Sequence, residues 1–172
     1  NWASMAKCGK TGSHQQSGRL QWDSTPECDY HDATCRIKYS RYDHEMPCSV
    51  RRKGSWSFAS MGGKPSLKVK LANEWMGLKK LTFNNMKQDS GRLNERMAYT
   101  VHRLAGITAP RANHAKVAFR RSSGKVDHKV YLNLEGYNDE RFWEHRGIEE
   151  HTLWEVQGQL KSSHPLANGN SR

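Results

Sequence analysis

Four cysteines, Cys8, Cys28, Cys35 and Cys48, all lie in the first 48 residues. Thiols gathered in one segment can do two kinds of chemistry. They can close as two disulfides, in any of three connectivities, or remain as thiols. Alternatively, Cys28-x2-His31-x3-Cys35 followed by His44-x3-Cys48 offers the ligand types of a tetrahedral zinc site. The spacing matches no common finger, and nine histidines make chance neighbours frequent. Zinc is therefore not expected. Disulfides would suit a stapled, extracytoplasmic segment.

A second group with chemical potential is the run Leu67-Lys68-Val69-Lys70-Leu71. Its alternation predicts a strand with both lysines on one face. Taken alone, that is a solvated strand face. The Gly62-Gly63 pair before it supplies permissive backbone for a turn, and Pro65 fixes the exit.

The elements that must position these groups follow from the pattern around them. Residues 35–40 and the segment opening at Cys48 read as two strands, with Arg41–Pro47 as the loop of a hairpin. Residues 67–71 and 78–83 follow as strands. Residues 89–106 read as a helix, capped by Asp89 or Ser90 and stopped by Gly106. Leu93, Met97, Val101 and Leu104 recur at helical spacing along it. Two more strands, 114–120 and 129–136, flank a polar turn. A short helix capped by Asn138 or Asp139 comes next, and residues 152–156 suit a last strand. The fold class expected is α+β, an antiparallel sheet with one principal helix against it. Residues 1–34 read as a loose arm, 35–157 as the domain, and 158–172 as a frayed tail.

Composition bounds the partners. The chain has 172 residues, 28 Lys+Arg against 17 Asp+Glu, a net charge of +11 and a mean hydropathy of -0.95. Such a surface invites an anion: nucleic acid, a phosphorylated small molecule, an acidic protein or a membrane surface. No apolar run approaches the ~18 residues of a membrane span. The start, Asn1-Trp2-Ala3-Ser4, has no initiator Met and no apolar signal core, so it reads as a mature, excised or arbitrary start. The basic residues are spread along the chain and form no recognised nucleic-acid motif, so nucleic acid is not the expected partner.

Several segments, taken in order, resemble the CotH family of atypical kinases. They are RRKGSWSF (51–58), KPSLKVKL (64–71), GLKKLTFNN (77–85), LNERMAYTVHRLAGITAPRANHAKV (93–117) and VYLNLEGYNDERFWEHRG (130–147). The resemblance covers roughly residues 35–156. It implies a kinase-like N-lobe and hinge, ATP as cofactor with Mg²⁺ if a C-lobe is supplied, and a secreted or spore-coat protein as substrate. It also implies an extracytoplasmic location. In a kinase N-lobe a strand lysine neutralises nucleotide phosphates and a helix glutamate holds that lysine. The matching positions are Lys68 or Lys70, which the pattern does not separate, and Glu95. Ser55 and Ser57, in the loop after Lys53, would face phosphates. Glu135, in Asn-Leu-Glu-Gly, falls where a hinge would meet adenine through its backbone.

Two departures stand against the family pattern. Arg52 occupies a position that is usually apolar, and its burial would need partners. No His-x-Asp-like stretch or later metal carboxylate follows the hinge-like segment. Asp139, Glu140, Glu149 and Glu150 are the nearest acids and take no assignment. The expectation is a half-kinase, inactive alone, completed by a C-lobe from the same or another chain. The competing expectation is a non-enzymatic basic module for coat assembly or polyanion binding.

Overall fold

A computed structural model describes residues 5, 29–53, 59–120, 123–137, 139–148, 154–156 and 169–171. The chain divides into two compact units, Asn1–Gly136 and Tyr137–Arg172. The first holds β1 (His31–Tyr39), β2 (Tyr42–Lys53), β3 (Ser66–Trp75), β4 (Leu78–Asn84), α1 (Asn94–Leu104), β5 (Ala112–Arg120) and β6 (Val126–Glu135). The six strands form one sheet in the order β1-β2-β3-β4-β6-β5, and every neighbouring pair is antiparallel. This is the α+β architecture expected from the sequence, in the expected order of elements.

The first hairpin is longer than its sequence suggests. Arg41–Pro47, expected as a loop, is almost all strand: Tyr39 pairs with Tyr42, and pairing runs back to His31 opposite Val50. Only Ser40 and Arg41 turn, with Ser40 at φ 53°. β1 thus begins inside the arm expected to be loose. Cross-strand chemistry explains the extension. Arg36 Nε lies 2.7 Å from Asp43 Oδ1, and Lys38 Nζ lies 3.0 Å from Asp43 Oδ2. Hydrogen bonds from these two cations hold the Asp43 carboxyl at about 2. A disulfide joins Cys35 to Cys48 across the same strands, with Cα atoms 5.8 Å apart. That pairing removes two thiolates from the alternative zinc constellation. Cys8 and Cys28 lie outside the described residues.

Paired residues of neighbouring strands share a face, so the registers sort the sheet. On one face Met46, Cys48, Val69, Leu71 and Leu81 are buried together, with Ile37, Val50 and Phe83 beside them. Tyr131 also belongs here, edge-on to Phe83 and Phe119 at 6.2 and 6.0 Å. On the other face Met86, Leu132 and Leu134 form a smaller core with Tyr99 of α1 and Ala112. Tyr131 is 0% exposed, and its hydroxyl has no hydrogen-bond partner among the described residues. Burial raises its phenol well above the usual range. An unsatisfied buried hydroxyl is a standing cost, so Tyr131→Phe is expected to stabilise the chain by about 1 kcal/mol. The check is a higher urea midpoint at unchanged m.

Arg52, the departure from an apolar position, is 6% exposed on the first face. Its guanidinium donates to the carbonyl oxygens of Met5 and Ala59, at 3.1 and 2.8 Å. Burial lowers its pKa. Two backbone carbonyls thus partner the two terminal nitrogens of the buried guanidinium.

α1 stands with its apolar row turned away from the sheet. Leu93, Met97, Val101 and Leu104 are 51, 59, 60 and 83% exposed, and no α1 residue is buried. The side toward the sheet carries Glu95 and Tyr99, the two half-buried positions. The helix start differs from the one expected. Leu93 is its N-cap and makes no side-chain cap bond. Asp89 reaches over the turn instead, accepting the Glu95 N–H at 3.2 Å.

The second unit contains α2 (Glu140–Glu144) and a hairpin of β7 (Trp154–Val156) and β8 (Gly169–Ser171). Asp139 is the N-cap of α2, again with no side-chain cap bond. The Trp143 indole N–H closes onto the Tyr137 carbonyl at 3.0 Å, and the Arg146 guanidinium lies 3.8 Å from the Phe142 ring centroid. β8 falls within the tail for which the sequence suggests no order.

Candidate functional site

The face of the sheet that carries α1 also carries the cations. Registers place Lys53 opposite Ser66, Arg51 opposite Lys68, Lys68 opposite Thr82, and Lys70 opposite both Ser49 and Lys80. Asn84 lies opposite Leu132 on the same face. Lys68 and Lys70 therefore share the face of Glu95, and Arg51, Lys53 and Lys80 join them.

The lysine connected to Glu95 is neither of the two that the sequence singles out. Lys53 Nζ donates to Asn84 Oδ1 at 2.7 Å, and Asn84 Nδ2 donates to Glu95 Oε1 at 2.5 Å. The reason lies in the cross-strand row. Lys53 is on β2 and Asn84 on β4, and the small, buried Ser66 stands on β3 between them. The long amine stem can pass over a serine. A bulkier residue there would block it.

Burial lowers the Lys53 pKa most, the Arg51 charge lowers it further, and Glu95 opposes both. An ammonium has three donors, and one is engaged by Asn84. Because the folded pKa lies below the unfolded one, the unfolded chain binds more protons between the two values. Stability therefore rises with pH across that alkaline window. Glu95→Gln removes the opposing negative charge, so the Lys53 amine is expected to titrate at still lower pH. Lysine side-chain NMR of the wild type and E95Q reads this directly.

Lys68 and Lys70 differ in surroundings. Lys68 sits two pairs along from the Lys53–Ser66 pair, in the next row on that face, and is half-buried. Lys70 is exposed and a further row away, its ammonium 3.9 Å from the Tyr30 ring centroid. Arg51 shares that ring at 5.2 Å. Cation–π contact of this kind tethers a cation but does not neutralise it.

The two asparagines at the end of β4 divide the work. Asn84 bridges Lys53 and Glu95. Asn85 makes a strand-end turn, with its side chain accepting the Lys87 N–H at 3.1 Å and donating to the Lys64 carbonyl at 2.9 Å. Its own N–H donates to Ser66 Oγ at 3.0 Å. These bonds fix both the bridging Asn84 and the intervening serine. Beside them lies an open cavity of about 350 Å³, lined by Lys64, Lys87, Asp89 and Arg92 among others. Burial, then the charges of Arg92 and Lys129, lower the Lys64 pKa.

Glu135 is buried at the end of β6. Its carboxylate accepts the Arg111 guanidinium at 2.9 Å and the Arg111 backbone N–H at 3.0 Å, and its own N–H donates to the Arg111 carbonyl at 3.0 Å. The Glu135 N–H is thus already engaged. Ser55 and Ser57 lie outside the described residues. The Gly62-Gly63 segment forms the turn expected, with the Gly63 N–H donating to the Ser60 carbonyl at 3.0 Å and the Lys129 amine to the Gly63 carbonyl.

A family model for the CotH kinase protein matches residues 50–168, well over half of the chain. The chain belongs to the CotH kinase family. The match takes in β2 from Val50 onward, so Lys53, Asn84 and Glu95 all fall inside the CotH region, as do Lys68, Lys70 and Glu135. No curated protein matches the chain. Among the described residues no helix is long and apolar enough to cross a membrane, and no group of three His, Cys, Asp or Glu could hold a metal ion. The Cys35–Cys48 disulfide is compatible with an extracytoplasmic setting.

Proposed function

We propose that this CotH-family chain binds the phosphates of ATP on the cationic face of its sheet. It would act as the N-lobe-like part of a phosphotransferase for secreted or coat proteins. The observation that supports this most is the Lys53–Asn84–Glu95 chain of hydrogen bonds. A strand amine is tied to a helix carboxylate, and further donors remain for a ligand. In this reading Lys53 joins Lys68 and Lys70 as a phosphate-facing cation, and Glu95 orients Lys53 through Asn84. Ser55 and Ser57 complete the phosphate contacts. The backbone at Glu135 and Gly136, apart from the engaged Glu135 N–H, meets adenine. Phosphate is held by fixed cations and donors rather than by covalent chemistry, as phosphoryl transfer requires.

Magnesium would supply charge neutralisation at the terminal phosphates in such a transfer. The described residues supply no carboxylate set that fits it, so no step of transfer is assigned to them. Metal carboxylates and a group to orient the acceptor hydroxyl would come from elsewhere in the assembled kinase.

The same charges favour a second reading, a basic module that grips polyanions. Arg51, Lys53, Lys68, Lys70 and Lys80 on one face would suit it. Salt separates the two. Competition between ATP and heparin, repeated from low to high ionic strength, is expected to show adenine preference persisting as overall affinity falls. Equal loss for both ligands, with no preference for ATP over inorganic triphosphate, would favour the polyanion module.

A further inference from the structure

We propose that the outer face of α1 is a docking seam for an acidic amphipathic helix of a partner protein. This stands apart from the nucleotide reading and rests on which way the helix faces. The apolar side chains of α1 and its flanks point away from the sheet, with Leu93, Met97, Val101, Leu104 and Ile107 all more than half exposed. Scattered exposed aliphatics are ordinary, but a contiguous row is a site.

The row has a coiled-coil register. Met97 and Leu104 take a positions and Thr100 a d position; the N-cap Leu93 extends the row before the helix, and Ile107 extends it beyond the Gly106 turn at φ 78°. Val101 at e widens the row, and Arg96 and Arg103 both fall at g. Thr100 suits its place, since its hydroxyl donates to the Arg96 carbonyl at 2.9 Å and leaves the methyl outward.

Charge specifies the occupant. The only acid on α1 is Glu95, which is turned toward the sheet and bonded to Asn84. Arg96 and Arg103 have no acidic partner among the described residues. A seam flanked by arginines at g selects glutamates on the facing helix. A second copy of this chain does not supply them. Parallel pairing sets Arg96 against Val101 of the other copy, and antiparallel pairing sets arginine against arginine. A lipid surface fits less well, because the stripe is narrow and carries no Trp or Phe, whereas interfacial helices present broad apolar faces with such anchors.

The probe is a synthetic helical peptide of about three heptads, Leu at a and d with Glu at e and g, and a twin with Lys replacing Glu. Each is titrated into the full ¹⁵N-labelled chain at about 0.15 M salt. The expected result is micromolar binding of the Glu peptide, with shifts confined to residues 93–107 and at least about tenfold weaker binding of the Lys peptide. Met97→Glu should lose about tenfold in affinity for the Glu peptide, and the pair Arg96→Glu, Arg103→Glu should reverse the preference. All three positions are exposed, so unchanged urea midpoints are expected for the variants. Three outcomes would overturn the proposal. One is no shift at 93–107. Another is a dimer in sedimentation that Met97→Glu dissolves, which would make a second copy the occupant. The third is protection of the stripe by anionic phosphatidylserine vesicles but not by the peptide.

Discussion

Lys53→Met is expected to weaken ATP binding by about 10–100-fold, the loss that follows when a charged donor is removed from a phosphate. Two comparisons make the result specific. Lys68→Met, one row away on the same face, should lose less. Lys70→Met should lose least, because its ammonium lies over Tyr30 and furthest from Asn84. Lys53→Met should not unfold the chain, since burial already penalises that charge. Isothermal titration with the three variants checks the order. A ranking led by Lys70 would place the phosphates at the β1–β2 end of the sheet rather than beside α1.

The second large effect concerns stability. Removing the Cys35–Cys48 bridge, as Cys35→Ala with Cys48→Ala, is expected to cost about 3 kcal/mol, because the bridge closes a loop of 13-residue separation in the unfolded chain. Cys48 also belongs to the larger core, so the cost falls on the sheet and not on one loop. Tm should drop by on the order of 10 °C. Urea melts of the oxidised chain against the double variant check this, and coincident midpoints would show that the hairpin holds without its staple. ATP affinity should change little, since the bridge lies on the face opposite Lys53.

The sequence made the fold legible where one periodicity was enough. Alternation in Leu67–Leu71 marked β3 and set Lys68 and Lys70 on one face, and both do face the side of Glu95. Turn chemistry at Gly106 was equally readable. What escaped required knowing lateral neighbours. Lys53 closes an Arg-Arg-Lys run and reads as solvated charge. Its reach to Asn84 depends on three strands aligning around a small Ser66, which no local pattern encodes. The signal that could have found it was the run's position at a strand end, directly before Gly54, with Asn84 ending another strand.

The helix shows a different limit. Spacing groups Leu93, Met97, Val101 and Leu104 on one side but is silent on which side meets the sheet. Here the sheet takes Glu95 and Tyr99, and the apolar row is left outward. Arg41–Pro47 was misread for want of partners. Its polar residues suit a loop until Lys38 is seen opposite Asp43 and Arg36 reaching the same carboxylate.

The most direct test of the phosphate-binding face is an ATP·Mg²⁺ titration of the ¹⁵N-labelled chain, followed at the side-chain amide of Asn84 and the backbone amides of Lys53, Lys68 and Glu95. The expected result is saturable shifts at all four, with the Asn84 Nδ2 signal moving as Lys53 turns toward phosphate. Silence at those positions up to millimolar ATP would contradict phosphate binding by this face.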